Sequence, residues 1–592
     1  MKKVTTSILL IFPICTLLVL IWGLNKGFDF TDESYYLLGY DFPMENNTSR
    51  FFQPVTSLLF GWLDPGILGY RIVRLVLTLL ASLVFAKGFW RWCCATNRNV
   101  NFLTILAITT SGSLLSYSLF PVSLSYNSWT LINMLLISGF IFSWISLIKA
   151  KSSPNKKSGI LLLFVGLIIG LQFFVKFSAA GAYLFSIIAL IIIIQKNDGI
   201  KWSRILTSIL TLFGGIFLFM IIYFTTVESI FIWKEKFITA IKYTPAGYEL
   251  DFLFEKYKKT LDHSFTKGVR NIKEVPIILF LLFTIGRMIG FFRPIGRTIY
   301  NVLFTGIMLY MLYYAYDNFL FMSGMAKMRN AFSIYLLILI CTLCIVLAIT
   351  TAKDIKLNIT NPANRENIVI YLFLFFLPLC GSIGTSSILP INIIQYLYPW
   401  FLLILLISCW VSKKLQNNFY VNAFALIIGT FAFTQTVHGY VYSPYRLNSD
   451  LFHQTEEVLQ LPKLEELKIE TQSKDFILSI NKIVQEKTKF SEGDPVIEIV
   501  DLPGIVYSLG GVSPGNSWYN PKYPNTNCYY LGVANIKALN KTLLFFYADE
   551  RISEGFKNCL NEQGINYPNG YSKIGEVKHL HSDKTINIYA PK

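Results

Sequence analysis

Asp32 and Glu33 stand side by side in the segment GFDFTDESYYLLGY, about eight residues after an apolar run that begins almost at the first methionine. A carboxylate held beside an apolar cavity can take a proton from an acceptor hydroxyl, and a general base working near its own pKa contributes about 10² to 10⁴ in rate. Partial burial raises a carboxyl toward that range. The same residues also fit a structural role. Thr31 and Asp32 precede the helix-like run ESYYLLGY, and Asp is a favourable N-cap. Base, cap and solvated loop charge all remain open at this point.

The apolar run before the acids, residues 6–24, is long enough to cross a bilayer, which takes about 20 residues, and Lys2 and Lys3 precede it. It is longer than a signal-peptide core and carries no small-x-small cleavage site, so it reads as an uncleaved first span. Of the 592 residues, 53% are hydrophobic and only 15% charged, and the mean hydropathy is +0.50. That is far from the roughly 25% charge of a soluble domain and defines an α-helical polytopic membrane protein.

Apolar runs predict thirteen spans, near 6–24, 66–88, 102–118, 128–148, 159–175, 179–195, 205–225, 275–291, 299–316, 331–351, 368–384, 396–411 and 419–437. The pair around Lys176 can equally be one broken or re-entrant segment. If Met1 lies inside, every one of the six inside loops is basic, from Lys87, Arg91 and Arg98 in the first to Lys413 and Lys414 in the last. The N-terminus is then cytoplasmic, and the first outer loop (25–65) with its acids faces outward. So does everything after residue 437. The same pattern absorbs much of the net charge of +17, and no nucleic-acid module is present.

Two regions stand outside the spans. The outer loop 226–274 includes DFLFEKYKKTLDHSF, whose helical spacing predicts an amphipathic helix on the membrane surface. Residues 438–592 form a second unit beside the 1–437 membrane domain. A polar helix, SKDFILSINKIVQEK, precedes strand-like PVIEIVD, KTLLFFYAD and KTINIYAP, which predicts a small extracytoplasmic α/β domain. Its segment DLPGIVYSLGG lacks the spacing of a dinucleotide loop and reads as a structural turn. Cys528 and Cys559 are its only cysteines, and in an oxidising compartment a disulfide between them would contribute roughly 3 to 4 kcal/mol. Cys341 and Cys344 lie inside an apolar run and read as packing. Five scattered histidines suggest no metal site, although His579 and His581 share one strand face.

The acid dipeptide in TDESYYLL, the inside N-terminus, about a dozen spans and the outer C-terminal domain together resemble the GT-C superfamily of membrane glycosyltransferases. That superfamily includes protein O-mannosyltransferases, the aminoarabinose transferase that modifies lipid A, and oligosaccharyltransferases. The resemblance covers the whole architecture and implies a multi-pass enzyme of a bacterial inner or plasma membrane. It implies a polyprenyl-phosphate-linked sugar as donor and a hydroxyl on a glycan, lipid or protein as acceptor. Asp32 aligns as the catalytic carboxylate, with Glu33 as its neighbour. A single carboxylate and no second nucleophile favour inversion. No cofactor is required, although some members use a divalent cation held by acidic side chains, so a metal stays optional.

Such a donor needs a lipid groove and cations for its departing phosphate. Candidates are the few outward or boundary cations that the topology rule leaves unexplained. They are Lys176 in GLQFFVKFSAAG, Arg71 and Arg74 on one helix face in GYRIVRLVL, and Lys327 and Arg329 in MAKMRN. Snorkelling or contact with ordinary lipid headgroups explains them equally. Gly384 and Thr385 in GTSSILP resemble a Gly-Thr loop of some relatives, and Tyr35, Tyr126 and Asn127 are further substrate-binding candidates. A tight turn and an interfacial aromatic belt are the plainer accounts of those positions. The chain lacks a WWDYG-like motif, which argues against transfer of a whole oligosaccharide to asparagine. A lipid-linked-sugar transporter or flippase and a non-catalytic envelope assembly protein are the rival classes, though the acids sit at the outer edge rather than mid-membrane and no internal repeat is evident.

Overall fold

The computed structural model describes residues 3–45, 51–98, 100–150, 156–243, 250–264, 266, 269–288, 294–321, 328–351, 362–384, 389–520, 522–536, 538–549 and 552–592. Among them, eleven helices are long and apolar enough to cross a membrane: Thr6–Gly23, Gly66–Ala95, Tyr126–Lys149, Lys156–Val175, Phe177–Asn197, Trp202–Thr226, Gly296–Asp317, Ala331–Ile349, Arg365–Ser382, Tyr398–Leu415 and Phe419–Tyr442. The chain is therefore a multi-pass membrane protein. Two shorter apolar helices, Phe102–Ser118 and Val275–Met288, occupy the remaining two predicted runs. The second, at 14 residues, is about 21 Å long, short of the roughly 30 Å hydrocarbon layer.

Small residues let the helices approach. A Cβ on Gly88 would overlap the Gly139 carbonyl where Gly66–Ala95 crosses Tyr126–Lys149, and one on Gly215 would overlap Leu163 O where Trp202–Thr226 crosses Lys156–Val175. In lipid, where apolar burial does not drive helix association, such backbone contact supplies the packing. At one end of the bundle Lys149 Nζ binds Asp198 at 2.6 Å and also Glu366, while Arg98 donates to Asn367. These residues come from four of the stretches read from sequence as lying on one side, so their convergence agrees with the alternation of spans.

At the other end lie the first loop, the corner at Lys176 and residues 438–592. Among its described residues the loop 226–274 contains the helices Ile230–Tyr243 and Leu250–His263. Trp233 stacks on Phe237 at 5.1 Å and meets Phe51, whereas Phe231, Ile232 and Phe254 are exposed. The stretch DFLFEKYKKTLDH, read from its spacing as helical, lies within Leu250–His263.

In the C-terminal domain a two-residue ladder, β1 (Glu456–Glu457) with β2 (Lys468–Ile469), precedes a four-stranded mixed sheet. Its strands are β3 (Val496–Ile499), β4 (Leu543–Tyr547), β5 (Tyr571–Lys578) and β6 (Thr585–Pro591), in the order β3-β4-β6-β5. β3 and β4 are parallel; β6 is antiparallel to both β4 and β5. Helix Thr471–Lys487 lies over one face through Ile477, Ile480 and Val484, which cluster with Phe545 and Ile588. Helices Pro524–Gly532 and Glu554–Glu562 cover the other through Leu531, Phe556 and Leu560, which cluster with Leu544 and Phe546. Cys528 and Cys559 meet where these two helices pack, but their thiols are free and interact by a sulfur hydrogen bond.

The domain docks on the first loop. Gly27 N donates to Lys468 O, Lys468 N to Asn25 O, and Gly504 N to Phe30 O, each at 2.8 Å. Buried Glu45 accepts from Gly515 N at 3.0 Å and Asn535 N at 3.1 Å.

Candidate active site

The site grows from the alternation Phe28-Asp29-Phe30. Both rings are buried and 4.8 Å apart, Phe30 edge-on to Phe476 and Phe28 near Tyr507. Successive side chains of extended backbone point to opposite sides. Asp29 is thereby turned toward the start of helix Asp32–Asp41, where it accepts from Thr31 N (2.8 Å), Thr31 Oγ1 (2.5 Å) and Glu33 N (3.2 Å). Asp29 thus performs the capping that the sequence offered to Thr31 and Asp32, and Thr31 makes no side-chain cap bond. Burial, followed by the nearby Asp32 charge, pushes the Asp29 carboxyl up to about 7.

With the cap supplied elsewhere, the two acids of the pair diverge. Glu33 turns inward to Arg71 in a fork-to-fork ion pair, Nε to Oε1 at 2.9 Å and Nη2 to Oε2 at 2.6 Å, and also accepts from Ser123 N at 3.2 Å. Both side chains are 2% exposed. Arg71 gives its other donors to the carbonyls of Leu24, Lys26 and Gly27. All five of its N–H groups are engaged, which leaves none for a phosphate. Arg74 is likewise buried, donating to Pro121 O and Ser116 O with its guanidinium 3.9 Å from the Tyr117 ring.

Asp32 turns outward and keeps 22% of its side chain accessible. Its Oδ2 accepts from the Tyr445 hydroxyl at 2.6 Å and lies 3.4 Å from Arg446 Nη2, while Arg446 Nε donates to Tyr445 Oη at 3.1 Å. Arg446 adopts φ +55°, a left-handed turn that brings guanidinium and phenol to the same carboxylate. Behind them lies a cavity of about 20 Å³ lined by Asp29, Glu33, Arg71, Phe120 and Tyr445. That is room for about one water.

Lys176 is a further cation at this end of the bundle. It occupies the N-cap position of Phe177–Asn197, is buried, donates to Gly381 O at 2.7 Å and lies 5.9 Å from the Tyr126 ring. Gly384, at φ +85°, closes the loop over it; a Cβ there would overlap Ser178 Oγ, which itself donates to Ile383 O. Tyr126 in turn meets Tyr36, on the helix that carries Asp32. The predicted Lys176, Tyr126 and Gly384 therefore form one corner, joined to the acid helix through aromatic rings.

Other candidates have structural partners. Asn127 Oδ1 accepts from Tyr396 at 3.1 Å, and Tyr35 packs between Tyr36 and Trp518. Arg329 belongs to helix Met328–Ile349, and Lys327 and Thr385 lie outside the described residues. Among the described residues no three His, Cys, Asp or Glu side chains converge as a metal site.

Three participants escaped the sequence reading: Asp29, Tyr445 and Arg446. Arg446 had a usable signal, a cation just past the last span in VYSPYRLNSD. No protein-family model matches the chain, and no curated protein matches it.

Proposed function

We propose that the chain is a membrane glycosyltransferase of GT-C type that moves a sugar from a polyprenyl-phosphate donor to a hydroxyl acceptor on the outer face. Asp32 is its base. The observation that carries this reading is the division of labour among three neighbouring carboxylates. Asp29 caps the helix, Glu33 is consumed by Arg71, and only Asp32 remains accessible, beside an arginine.

In the proposed reaction the acceptor oxygen attacks the anomeric carbon as Asp32 takes its proton. The bond from that carbon to the phosphate oxygen breaks, its electron pair leaves with the lipid phosphate, and the configuration inverts. Arg446 suits the developing phosphate charge, because a guanidinium presents paired donors and lies on the accessible side of Asp32. Lys176 is a second cation for the donor, once its bond to Gly381 O is exchanged. Thirteen spans, a cytoplasmic N-terminus and an extracytoplasmic C-terminal domain belong to this proposal.

The test is Asp32→Asn, purified in detergent and assayed with radiolabelled polyprenyl-phosphate sugars against envelope acceptors. Loss of transfer with donor binding retained is the expected result. Undiminished transfer removes Asp32 as base, and wild-type movement of the donor across vesicles without transfer turns the assignment to a flippase.

A further inference from the structure

The second face of the outer sheet is only partly covered. Beyond the first turn of helix Glu554–Glu562, at the carboxyl end of β4, it opens into a cleft of about 460 Å³. Phe546, Tyr567, Asn587 and Tyr589 line it, with Glu554 and Lys557 beside them. The size is that of a small-molecule site, and the carboxyl end of parallel strands is where open α/β sheets bind ligands.

Its lining differs from the core it continues. Asn587 stands mid-strand directly opposite Phe546, where a β-branched or aromatic residue is the usual choice. Its Nδ2 donates to the Tyr589 hydroxyl at 3.4 Å, its Oδ1 has no partner, and the Tyr589 and Tyr567 hydroxyls are hydrogen-bonded to each other. The rings of Tyr567 and Tyr589 lie edge to face at 5.4 Å. Glu554 and Lys557 pair at 2.6 Å with Glu554 81% exposed, so the charges at the opening neutralise each other.

Apolar rings interleaved with phenol hydroxyls and an amide match a ligand that itself alternates C–H faces with hydroxyls. A lipid would leave the polar row unpaired. A nucleotide would need phosphate-binding cations, and among the described residues the one lysine of the cleft is already matched by Glu554. We propose that this cleft binds a neutral saccharide, stacked on the tyrosine rings and hydrogen-bonded through the row from Asn587 to Tyr567. The proposal rests on these residues alone and is independent of Asp32.

The test uses the full chain in detergent with chitohexaose, mannohexaose and cellohexaose as probes, followed by saturation-transfer NMR and calorimetric titration. At least one probe is expected to bind saturably. Binding should fall about tenfold in Asn587→Ala and in Tyr589→Ala, less in Tyr589→Phe, and stay unchanged in Asp32→Asn. Thermal unfolding of each variant reports its fold. Absence of saturable binding by the wild type to all three probes overturns the proposal, as does wild-type affinity in both alanine variants. Binding lost in Asp32→Asn with the cleft intact overturns it too and moves the saccharide to the acid site.

Discussion

Tyr445 donates its hydroxyl to Asp32 at 2.6 Å across 413 residues of chain, so the carboxylate at the end of the first span is held by the segment that follows the last. Arg446 completes the contact at 3.4 Å. The C-terminal domain is thereby tied to the acid site by side chains as well as by the backbone bonds at Gly27 and Phe30.

If Arg446 balances charge on the departing phosphate, removing it acts on the transition state. Arg446→Ala is expected to lower kcat for sugar transfer by about 10² to 10³, with a smaller change in KM for the donor. Arg446→Lys, which keeps the charge but loses the fork, should recover part of the rate. Steady-state kinetics with a polyprenyl-phosphate sugar make the comparison, and equal rates in all three proteins exclude the role.

Glu33 and Arg71 lead to a stability prediction that is independent of chemistry. Each is 2% exposed, and breaking a buried pair by removing one partner strands the other charge at a cost of about 3 to 5 kcal/mol. Glu33→Gln and Arg71→Met are each expected to lower the unfolding temperature in detergent sharply. The double variant should be less destabilised than the sum of the two, because no charge is left alone. Additive losses would mean that the two charges do not sustain one another.

Much of the architecture was legible because lipid imposes long apolar runs, and because six basic loops set their alternation. Asp32 stood out as an acid just beyond such a run. Asp29 did not, since its capping bonds depend on Phe28 and Phe30 being fastened to the C-terminal domain. Tyr445 and Arg446 reach Asp32 only through tertiary folding, and no local pattern encodes a contact of that separation. β5 was missed for a different reason. It is an edge strand whose Lys573, Glu576 and Lys578 face water, so it lacks the apolar alternation by which a strand is recognised. Arg71 illustrates the opposite error: spacing placed it on a helix face with Arg74, but only the fold reveals that carbonyls and Glu33 use every donor.

Asp29 should impose a pH dependence on stability. Its folded carboxyl is raised to about 7 from the ordinary value of 3.8, so between those values the folded state holds a proton that the unfolded chain has lost. Stability from this group is full below about pH 4, declines as pH rises toward 7, and is level above. Unfolding temperatures measured from pH 4 to 9 should carry this decline in the wild type, and Asp29→Asn should remove it. A rise in wild-type stability across the same window that is identical in the variant contradicts the assignment.

The orientation proposed for the bundle can be read from two cysteines at opposite ends. Cys94 is exposed next to Arg98, whose partner Asn367 belongs to the basic end, whereas Cys528 lies partly accessible in the C-terminal domain. In intact cells after mild reduction, which opens any bond formed between Cys528 and Cys559, a membrane-impermeant maleimide is expected to label Cys528. Cys94 should react only after permeabilisation. Single-cysteine versions of the chain separate the two signals, with Cys559→Ser leaving Cys528 unable to pair. Labelling of Cys94 in intact cells with Cys528 protected would invert the topology, put Asp32 on the cytoplasmic side and remove the outer-face transfer reaction.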